Sequence, residues 1–372
     1  MNRIRTALIG TGYRGCQLIG LLSRMPAFRL VAVADPRPLE GELPIGGLRM
    51  YNAGDEDYRR MLSEEQPQLV FVASPWHVQV KQATACIRAG SHVALEIKGG
   101  LCIGEYEHLQ RVAHEQQRKV FPLENTVFMR EIMAVQRMIE NGVFGELIHL
   151  KGGYRHDLRQ LLTSPSGQWR QTFYCRTNAD LYPTHGLAPL CLFAGLGHRD
   201  RLVRLTARAS KARGLATYCE QHGIALPPTD ILTGDIVTTQ LETAGGLLIT
   251  LTHDTTLPRP RSLDFEVQGT RGIWQGDTRR IYLEGISPHE AWEDDASYLA
   301  TYEHPLWNRW GKEALQADLH HKGMDYLMLR SLQAHLEGES IYPTALEDLA
   351  QWCSITPYSE ISIREHRSVD LA

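Results

Sequence analysis

The sequence predicts an α/β fold with two parts: a doubly wound parallel sheet at the N-terminus, then an α+β domain with an open, mostly antiparallel sheet. Three patterns support this prediction. An apolar run that begins at Ile4 ends in a glycine-rich turn, and a helical pattern follows at once. Strand and helix patterns then alternate to about residue 125, which is typical of a doubly wound sheet. From Leu147 onward, long runs alternate apolar and polar residues, which is typical of antiparallel strands.

The turn after the first strand has the G-x-G-x-x-G pattern of a Rossmann domain, reading Gly10-Thr11-Gly12-Tyr13-Arg14-Gly15. Its first glycine allows the tight turn, the second lets the backbone approach a pyrophosphate, and the third lets the helix pack on the strand. A pyrophosphate is favoured at the helix N-terminus because free N–H groups and the helix dipole attract anions. The sequence therefore predicts that these six residues bind a dinucleotide.

The end of the second strand indicates which dinucleotide is bound. The run Phe28–Ala34 ends at Asp35, twenty residues after Gly15. A carboxylate at this point accepts hydrogen bonds from the ribose hydroxyls and repels a 2′-phosphate, so we predict NAD. Arg37 is close enough in the sequence to keep NADP as the less favoured alternative.

Two further strands end in candidate cofactor contacts. The apolar run 69–73 leads into Ser74, Trp76 and His77, and the run 92–96 ends in Glu96. Loops at the carboxyl ends of parallel strands face the cofactor crevice. Trp76 either flanks the nicotinamide or is an aromatic residue at the edge of the core.

Length and composition predict a globular protein with two domains. The end of the alternating strand and helix pattern places their limits at 1–125 and 126–372. A helix near 345–355 is expected to pack back on the first domain. The chain has 372 residues, 43% of them hydrophobic and 22% charged, with a net charge of -4. That balance disfavours nucleic acid and anionic membranes as partners. The seven cysteines lack paired spacing, and the first strand begins within a few residues of Met1. We therefore expect reduced thiols, no signal peptide, no membrane span, a cytoplasmic location and, from the open sheet, a homo-oligomer.

The remaining elements follow from hydrophobic periodicity. Further strands are predicted at 48–51, 119–125, 147–154, 203–209, 235–242, 246–253 and 263–269. Helices are predicted at 55–62, 78–89, 106–117, 130–141, 324–336 and 345–355, and a loop at 36–47.

Four patches of the sequence resemble a known family. They are Glu124-Asn125, the run Tyr154–Arg159, the run Leu181–Leu187 that contains Leu-Tyr-Pro-Thr-His-Gly, and the run Lys322–Asp325. Together with the Rossmann unit and the turn at Glu96, they resemble the Gfo/Idh/MocA oxidoreductases. Within that family they most resemble the NAD-dependent α-N-acetylgalactosaminidases of glycoside hydrolase family 109.

Two departures favour the glycosidase branch over the dehydrogenases. Dehydrogenases of the family usually carry Glu-Lys-Pro after the fifth strand, whereas this chain reads Glu96-Ile97-Lys98 and its lysine is displaced by one position. They also place an aspartate four residues before the catalytic histidine, where this chain has Leu181, with Asp180 one step away. The glycosidase branch lacks the same two groups.

The resemblance implies a redox-assisted cleavage of a glycosidic bond. Hydride leaves sugar carbon 3 for NAD, the ketone acidifies the proton on carbon 2, the group on carbon 1 is eliminated, water adds and hydride returns. This route needs no pair of carboxylates flanking the bond. Net oxidation by a sugar or cyclitol dehydrogenase, a 3-keto-glycoside-forming oxidoreductase, and an inactive NAD-binding regulator are the alternatives.

The resemblance also implies roles for individual residues. Tyr154 is the candidate base at carbon 2 and His185 the group at the oxidised hydroxyl, while substrate binding is implied for Glu124, Arg170, Tyr182 and His321, with Lys98 as a further candidate. Three of them have a stated structural alternative: Glu124 as a helix cap, Tyr154 as a packed strand aromatic, and His185 as a histidine at a helix start. No metal site is predicted, because the spacing of His156, Asp157, His253 and Asp254 is wrong for a closed ligand shell.

One more departure concerns the substrate. The glycosidase branch usually has a tyrosine after its Pro-Arg-Pro, whereas this chain has Arg261 after Pro258-Arg259-Pro260. An arginine that faces the pocket favours a carboxylate or a phosphate. We therefore predict that the carbohydrate substrate is acidic or phosphorylated.

Overall fold

The computed structural model describes residues 3–37, 47–98, 102–225 and 230–371. The chain groups into two compact units, Met1–Asn125 with Trp310–Cys353, and Thr126–Arg309 with Ser354–Ala372. The domain limits expected from the sequence, 1–125 and 126–372, differ from this grouping in residues 310–353. The part of the expected loop at 36–47 that covers residues 38–46 lies outside the described residues.

The helices and strands are numbered in chain order. The strands are β1 (Ile4–Ile9), β2 (Phe28–Ala34), β3 (Arg49–Tyr51), β4 (Leu69–Val72), β5 (His92–Leu95), β6 (Val120–Pro122), β7 (Leu147–Arg155), β8 (Leu202–Ala209), β9 (Ile236–Thr243), β10 (Leu248–Asp254), β11 (Glu266–Gly269), β12 (Gly272–Gln275), β13 (Arg280–Leu283), β14 (Glu293–Asp294) and β15 (Val369–Asp370). The helices are α1 (Tyr13–Leu22), α2 (Asp57–Glu65), α3 (Trp76–Arg88), α4 (Ile103–Glu115), α5 (Arg130–Glu140), α6 (Arg159–Leu162), α7 (Gln168–Arg176), α8 (Thr184–Ala194), α9 (Gly214–His222), α10 (Ala296–Thr301), α11 (Pro305–Ala317), α12 (Met324–Leu336) and α13 (Leu346–Glu365).

The first unit contains a six-stranded parallel sheet in the order β3-β2-β1-β4-β5-β6. The strand order reverses between β1 and β4, and ligands of doubly wound sheets bind at the carboxyl ends of the strands beside such a switch point. Every residue of β4 is buried, as its continuous apolar run predicts. The predicted Rossmann sheet is confirmed, and the glycine turn follows directly after β1, at this switch point.

The second unit contains a nine-stranded sheet in the order β14-β13-β12-β11-β7-β10-β9-β8-β15. Its pairs are antiparallel except for β7 with β10, so the prediction of an open, mostly antiparallel sheet is confirmed. The five runs predicted after residue 147 become β7 to β11. Strands β12 to β15 were not predicted, because they have only two to four residues each and show too little alternation to reveal a strand.

Two further sequence expectations concern the whole chain. All seven cysteines are free thiols, as their unpaired spacing suggests. No helix in the described part of the chain combines the length and the apolar character needed to cross a membrane.

Candidate active site

The glycine turn forms an open cradle in front of helix α1. Gly10 has a φ of +94°, and a Cβ on Gly15 would lie only 1.8 Å from the Gly10 carbonyl oxygen, so both positions require glycine. A Cβ on Gly12 would meet only the Arg37 guanidinium, at 3.6 Å, within a 4 Å radius. The first helical hydrogen bond runs from the Cys16 N–H to the Gly12 carbonyl (2.9 Å), so the N–H groups before it point ahead of the helix. The cradle therefore fits the pyrophosphate of a dinucleotide.

Asp35 lies beside this cradle as an ionised carboxylate. It accepts hydrogen bonds from the Thr11 N–H (2.8 Å), the Arg37 N–H (3.0 Å) and the Arg37 Nε (3.2 Å). Burial on its own raises the pKa of Asp35, but the bonds from Arg37 and Thr11 outweigh it and lower the pKa below the ordinary value. A charged carboxylate at the end of β2 is the group expected to meet the adenosine ribose.

The Arg14 side chain contacts buried carboxylates of the first unit. Its Nε donates to Glu96 (2.7 Å), and Nη2 donates to Asp325 (2.8 Å). Asp325 also accepts a hydrogen bond from Asn125 (2.8 Å), and His321 Nδ1 lies 2.8 Å from its other oxygen. We call these five residues the Arg14 network. It joins the start of α1, the end of β5 and the start of α12.

The two carboxylates of the Arg14 network have pKa values that are shifted in opposite directions. Burial raises the pKa of both, but Arg14 and His321 outweigh it at Asp325, whose pKa is lowered. At Glu96 burial dominates and the pKa is raised. Asp318, His321 and Asp325 place three metal-ligand atoms within 4.8 Å of one another. The Arg14 guanidinium already neutralises Asp325, so we infer no cation there.

The other predicted residues of the first unit lie at or near strand ends. Trp76 begins α3 and is buried, and the Lys98 ammonium lies 5.8 Å from the centre of its ring. Ser74 donates a hydrogen bond to Gln82, and His77 is exposed. Lys98 and Glu124 are both fully buried.

The second unit brings Tyr154, Tyr182 and His185 together, and we call them the tyrosine–histidine cluster. The ring centres of Tyr154 and Tyr182 are 4.5 Å apart. The His185 ring meets both edge-on, at 5.6 Å from Tyr154 and 4.9 Å from Tyr182. Tyr154 also packs against a buried apolar group that contains Leu158, Leu162, Tyr174, Ala179, Leu181, Leu215 and Cys219. Three side chains that can bind or release a proton thus lie in contact with one another.

Glycines explain this close approach of strand β7 and helix α8. A Cβ on Gly186 would lie 2.5 Å from the Gly153 nitrogen, and a Cβ on Gly152 would lie 2.6 Å from the Gly186 carbonyl oxygen. Only glycine permits such contact between a strand and a helix. The glycines directly precede Tyr154 and directly follow His185 in the sequence, so the same contact sets both side chains in place.

Arg170 and Arg261 lie near this cluster. The Arg170 guanidinium is 5.1 Å from the ring centre of Trp169 and 5.9 Å from that of Tyr182. Ser262, the neighbour of Arg261, forms a two-bond backbone bridge with Arg155. The predicted residues Tyr154, Arg170, Tyr182, His185 and Arg261 are therefore in the second unit, whereas Lys98, Glu124 and His321 are in the first.

Sequence reasoning assigned no contact to three residues that these sites contain: Asp325, His156 and Trp169. Asp325 lies in the first turn of α12, where an aspartate is common, so its position gave no signal of a buried partner. His156 follows directly after β7, two residues beyond Tyr154, and its ring contacts that of Tyr154; this two-residue spacing was the signal for it. Nothing in the sequence alone indicated the contact of Trp169 with Arg170.

The fold and the cradle define a protein class with a dinucleotide-binding Rossmann unit followed by a second, open-sheet unit. Residues 4–123 match the family model for the oxidoreductase family with an NAD-binding Rossmann fold, and residues 128–371 match the model for the glycosyl hydrolase 109 C-terminal domain. The fold is shared with an NAD-binding oxidoreductase from Klebsiella pneumoniae, with a TM-score of 0.75, 17% identity, and coverage of 100% of this chain and 99% of that one. It is also shared with the WlbA dehydrogenase from Bordetella pertussis, solved with NADH and UDP-GlcNAcA, with a TM-score of 0.72, 17% identity, and coverage of 100% and 98%.

Relatives at higher identity identify the family. A glycosyl hydrolase family 109 protein from Stenotrophomonas maltophilia is 33% identical over 395 residues, covering 97% of this chain and 87% of the relative. An alpha-N-acetylgalactosaminidase from Tannerella forsythia is 33% identical over 392 residues, covering 97% and 83%. The chain belongs to glycosyl hydrolase family 109. It is an enzyme, with an NAD-binding Rossmann domain of the Gfo/Idh/MocA type.

Proposed function

We propose that this enzyme oxidises a ring carbinol of a sugar with bound NAD and uses the resulting ketone to cleave a glycosidic bond. The observation that carries the proposal is the tyrosine–histidine cluster, in which Tyr154 and His185 are in direct ring contact. NAD, when bound, would supply the acceptor for the hydride of sugar carbon 3 and the source of its later return. The cradle at Gly12 and the Asp35 carboxylate are the groups proposed to hold it.

The side chains of the cluster handle the protons. His185 accepts the proton of the 3-hydroxyl as hydride leaves carbon 3. Tyr154 is the base that removes the proton from carbon 2; the electron pair left on carbon 2 forms a double bond to carbon 1 and expels the substituent there. Water then supplies a hydroxyl to carbon 1 and a proton to the departed oxygen, and Tyr154 returns its proton to carbon 2. Finally His185 returns a proton to the carbon 3 oxygen as the ketone is reduced, so no NADH accumulates.

Asp35 supports NAD over NADP. Its carboxylate is ionised and lies one hydrogen bond from the glycine turn, so a 2′-phosphate beside it would meet a like charge. Arg37 donates hydrogen bonds to the same carboxylate, so its guanidinium is engaged by Asp35 and is not directed at a 2′-phosphate.

Net sugar dehydrogenation is the second candidate. His185 suffices for that reaction, and oxidoreductases with the same fold include one solved with scyllo-inositol and NAD(H). Net oxidation of a sugar includes no proton removal at carbon 2, so Tyr154 would have no role as a base in a dehydrogenase. The contact of Tyr154 with both Tyr182 and His185 therefore favours the glycosidase.

The experiment that tests the proposal measures NADH during turnover. Purified protein is loaded with NAD and incubated with aryl glycosides and with free sugars, while aryl alcohol release and NADH absorbance are followed together. Release of many equivalents of aryl alcohol without net NADH is expected. NADH that accumulates in proportion to a free sugar, without aryl alcohol release, would establish the dehydrogenase instead.

Two finer points belong to the same proposal. The sugar carries an acidic or phosphorylated group, because Arg261 is exposed and forms no ion pair with the described residues, and a guanidinium binds such groups well. The protein is a homo-oligomer that associates through the open sheet, whose exposed side chains include Ile148 on β7 and Leu248 on β10. Light scattering of the purified protein tests the oligomer.

A further inference from the structure

We propose that His156, Arg170 and Arg261 form an anion subsite beside the tyrosine–histidine cluster, which selects sugars that bear a carboxylate or a phosphate. This inference rests on the proposed function, since the subsite takes part of the same substrate. It names the recognised group and two residues, His156 and Trp169, that the proposed reaction leaves without a role.

Strand pairing places His156 and Arg261 opposite each other. The Arg155 N–H donates to the Ser262 carbonyl (3.1 Å), and the Ser262 N–H donates back to Arg155 (2.8 Å). In an antiparallel bridge of this kind the flanking residues face each other, with side chains close together on the opposite face from the bridged pair. The His156 ring meets the Tyr154 ring edge-on at 6.1 Å, so this face is the one that carries the proposed base.

The charges around His156 support the same placement. Burial lowers the pKa of His156, and Arg261, Arg170 and His185 lower it further, while Asp157 acts in the opposite direction. Asp157 is held by Arg159, at 2.9 Å from Nε and 2.7 Å from Nη2. Asp157, the carboxylate that opposes the arginines in this respect, is thus already paired with Arg159.

Most other cations of this region are already paired. Lys151, Arg155, Arg159 and Arg259 each pair with a carboxylate, at Asp264 (3.1 Å), Asp264 (2.8 Å), Asp157 (2.7 Å) and Asp254 (2.5 Å). Arg261 is exposed, and it forms no ion pair with any of the described residues. Its guanidinium is therefore available to an anion from outside the chain.

Two aromatic rings lie beside Arg170. The centre of its guanidinium is 5.1 Å from the ring centre of Trp169 and 5.9 Å from that of Tyr182. A guanidinium offers N–H groups in a fork geometry that matches a carboxylate or phosphate. Tyr182 belongs to the cluster, so Arg170 lies next to the groups proposed to act on the sugar ring.

The test compares acidic with neutral sugars on the NAD-loaded protein. Calorimetry measures binding of galacturonate, galactose 6-phosphate and galactose to the wild type, Arg261→Gln, Arg261→Lys and Arg280→Gln. Arg280 is an exposed arginine on β13, three strands from β7, and its substitution makes the same charge change away from the cluster. Hydrogen bonds to charged groups predict that an acidic sugar binds about 10- to 100-fold more tightly than galactose.

The expected results are specific for each variant. Arg261→Gln should lower the acidic-to-neutral affinity ratio about tenfold or more, Arg261→Lys should lower it less, and Arg280→Gln should leave it unchanged. Whichever acidic sugar binds more tightly identifies the anion as carboxylate or phosphate. Equal binding of all three sugars by the wild type, or an unchanged ratio in Arg261→Gln, would overturn the subsite. Selective binding without any turnover would instead uphold the subsite and count against the proposed reaction.

Discussion

Replacing Gly12 with alanine should weaken dinucleotide binding while leaving the empty protein folded. Gly12 has a φ of −66°, which alanine adopts without strain, and the new Cβ would meet only the Arg37 guanidinium, at 3.6 Å. That methyl group occupies the space through which the pyrophosphate must approach the backbone. Overpacking of this kind costs about 1–3 kcal/mol, so the dissociation constant for NADH should rise roughly 10- to 100-fold.

The matched control is Gly20→Ala in the same helix. A Cβ at Gly20 has no neighbour within 4 Å, so NADH binding should stay unchanged and the helix should gain about 0.5–1 kcal/mol of stability. Fluorescence titration of the cofactor-stripped protein gives the affinities, and thermal unfolding without NADH gives the stabilities. An NADH affinity of Gly12→Ala equal to that of the wild type would refute the role of the cradle in binding the dinucleotide. Gly15→Ala should destabilise even the empty protein, because its Cβ would lie 1.8 Å from the Gly10 carbonyl oxygen.

Three further predictions concern proton transfer, cofactor choice and pH. Tyr154→Phe keeps the ring packing and should lower glycoside turnover roughly 10²- to 10⁴-fold while substrate still reduces the bound NAD, as read by absorbance. The control Tyr174→Phe removes only a hydroxyl bonded to Thr255 (2.7 Å) and should cost about 1 kcal/mol of stability without loss of turnover. Asp35→Ala should shift the NADP-to-NAD affinity ratio toward NADP, and an unchanged ratio would remove Asp35 from cofactor selection. The pKa of Asp325 is lowered, so its stabilisation is complete above the unfolded-state pKa of about 3.9 and is lost as the pH falls through the lower folded-state pKa. Asp325→Asn should therefore unfold more easily at pH 7, and its melting temperature should fall less than that of the wild type as the medium is acidified toward pH 3.

Local sequence patterns were sufficient to predict the parallel sheet of the first unit. The β1 run, the glycine turn and the carboxylate at Asp35 all follow from spacings of a few residues, and the structure places them as that spacing requires. Helix α3 begins two residues before its predicted start, because Pro75 is followed by a helical Trp76 and the sequence pattern of Ser-Pro-Trp-His resembles a loop. Proline directly before a helix is compatible with its first turn.

Long-range pairings were beyond the reach of local patterns. Arg14 and Asp325 are separated by 311 positions, and no periodicity within α1 indicates a carboxylate partner from α12. The bridge between Arg155 and Ser262, beside which the proposed subsite residues His156 and Arg261 lie in the sequence, joins two segments more than a hundred residues apart. The Tyr154–His185 contact could be expected only from the family resemblance, since the glycines that permit it act through a strand–helix contact.

The most direct test of the proposed chemistry is turnover of an aryl glycoside in deuterated water by the NAD-loaded enzyme. If Tyr154 removes the carbon 2 proton of a transient ketone, the released sugar should carry deuterium at carbon 2, and no NADH should accumulate. Released sugar that retains only protium at carbon 2 would contradict elimination through the ketone.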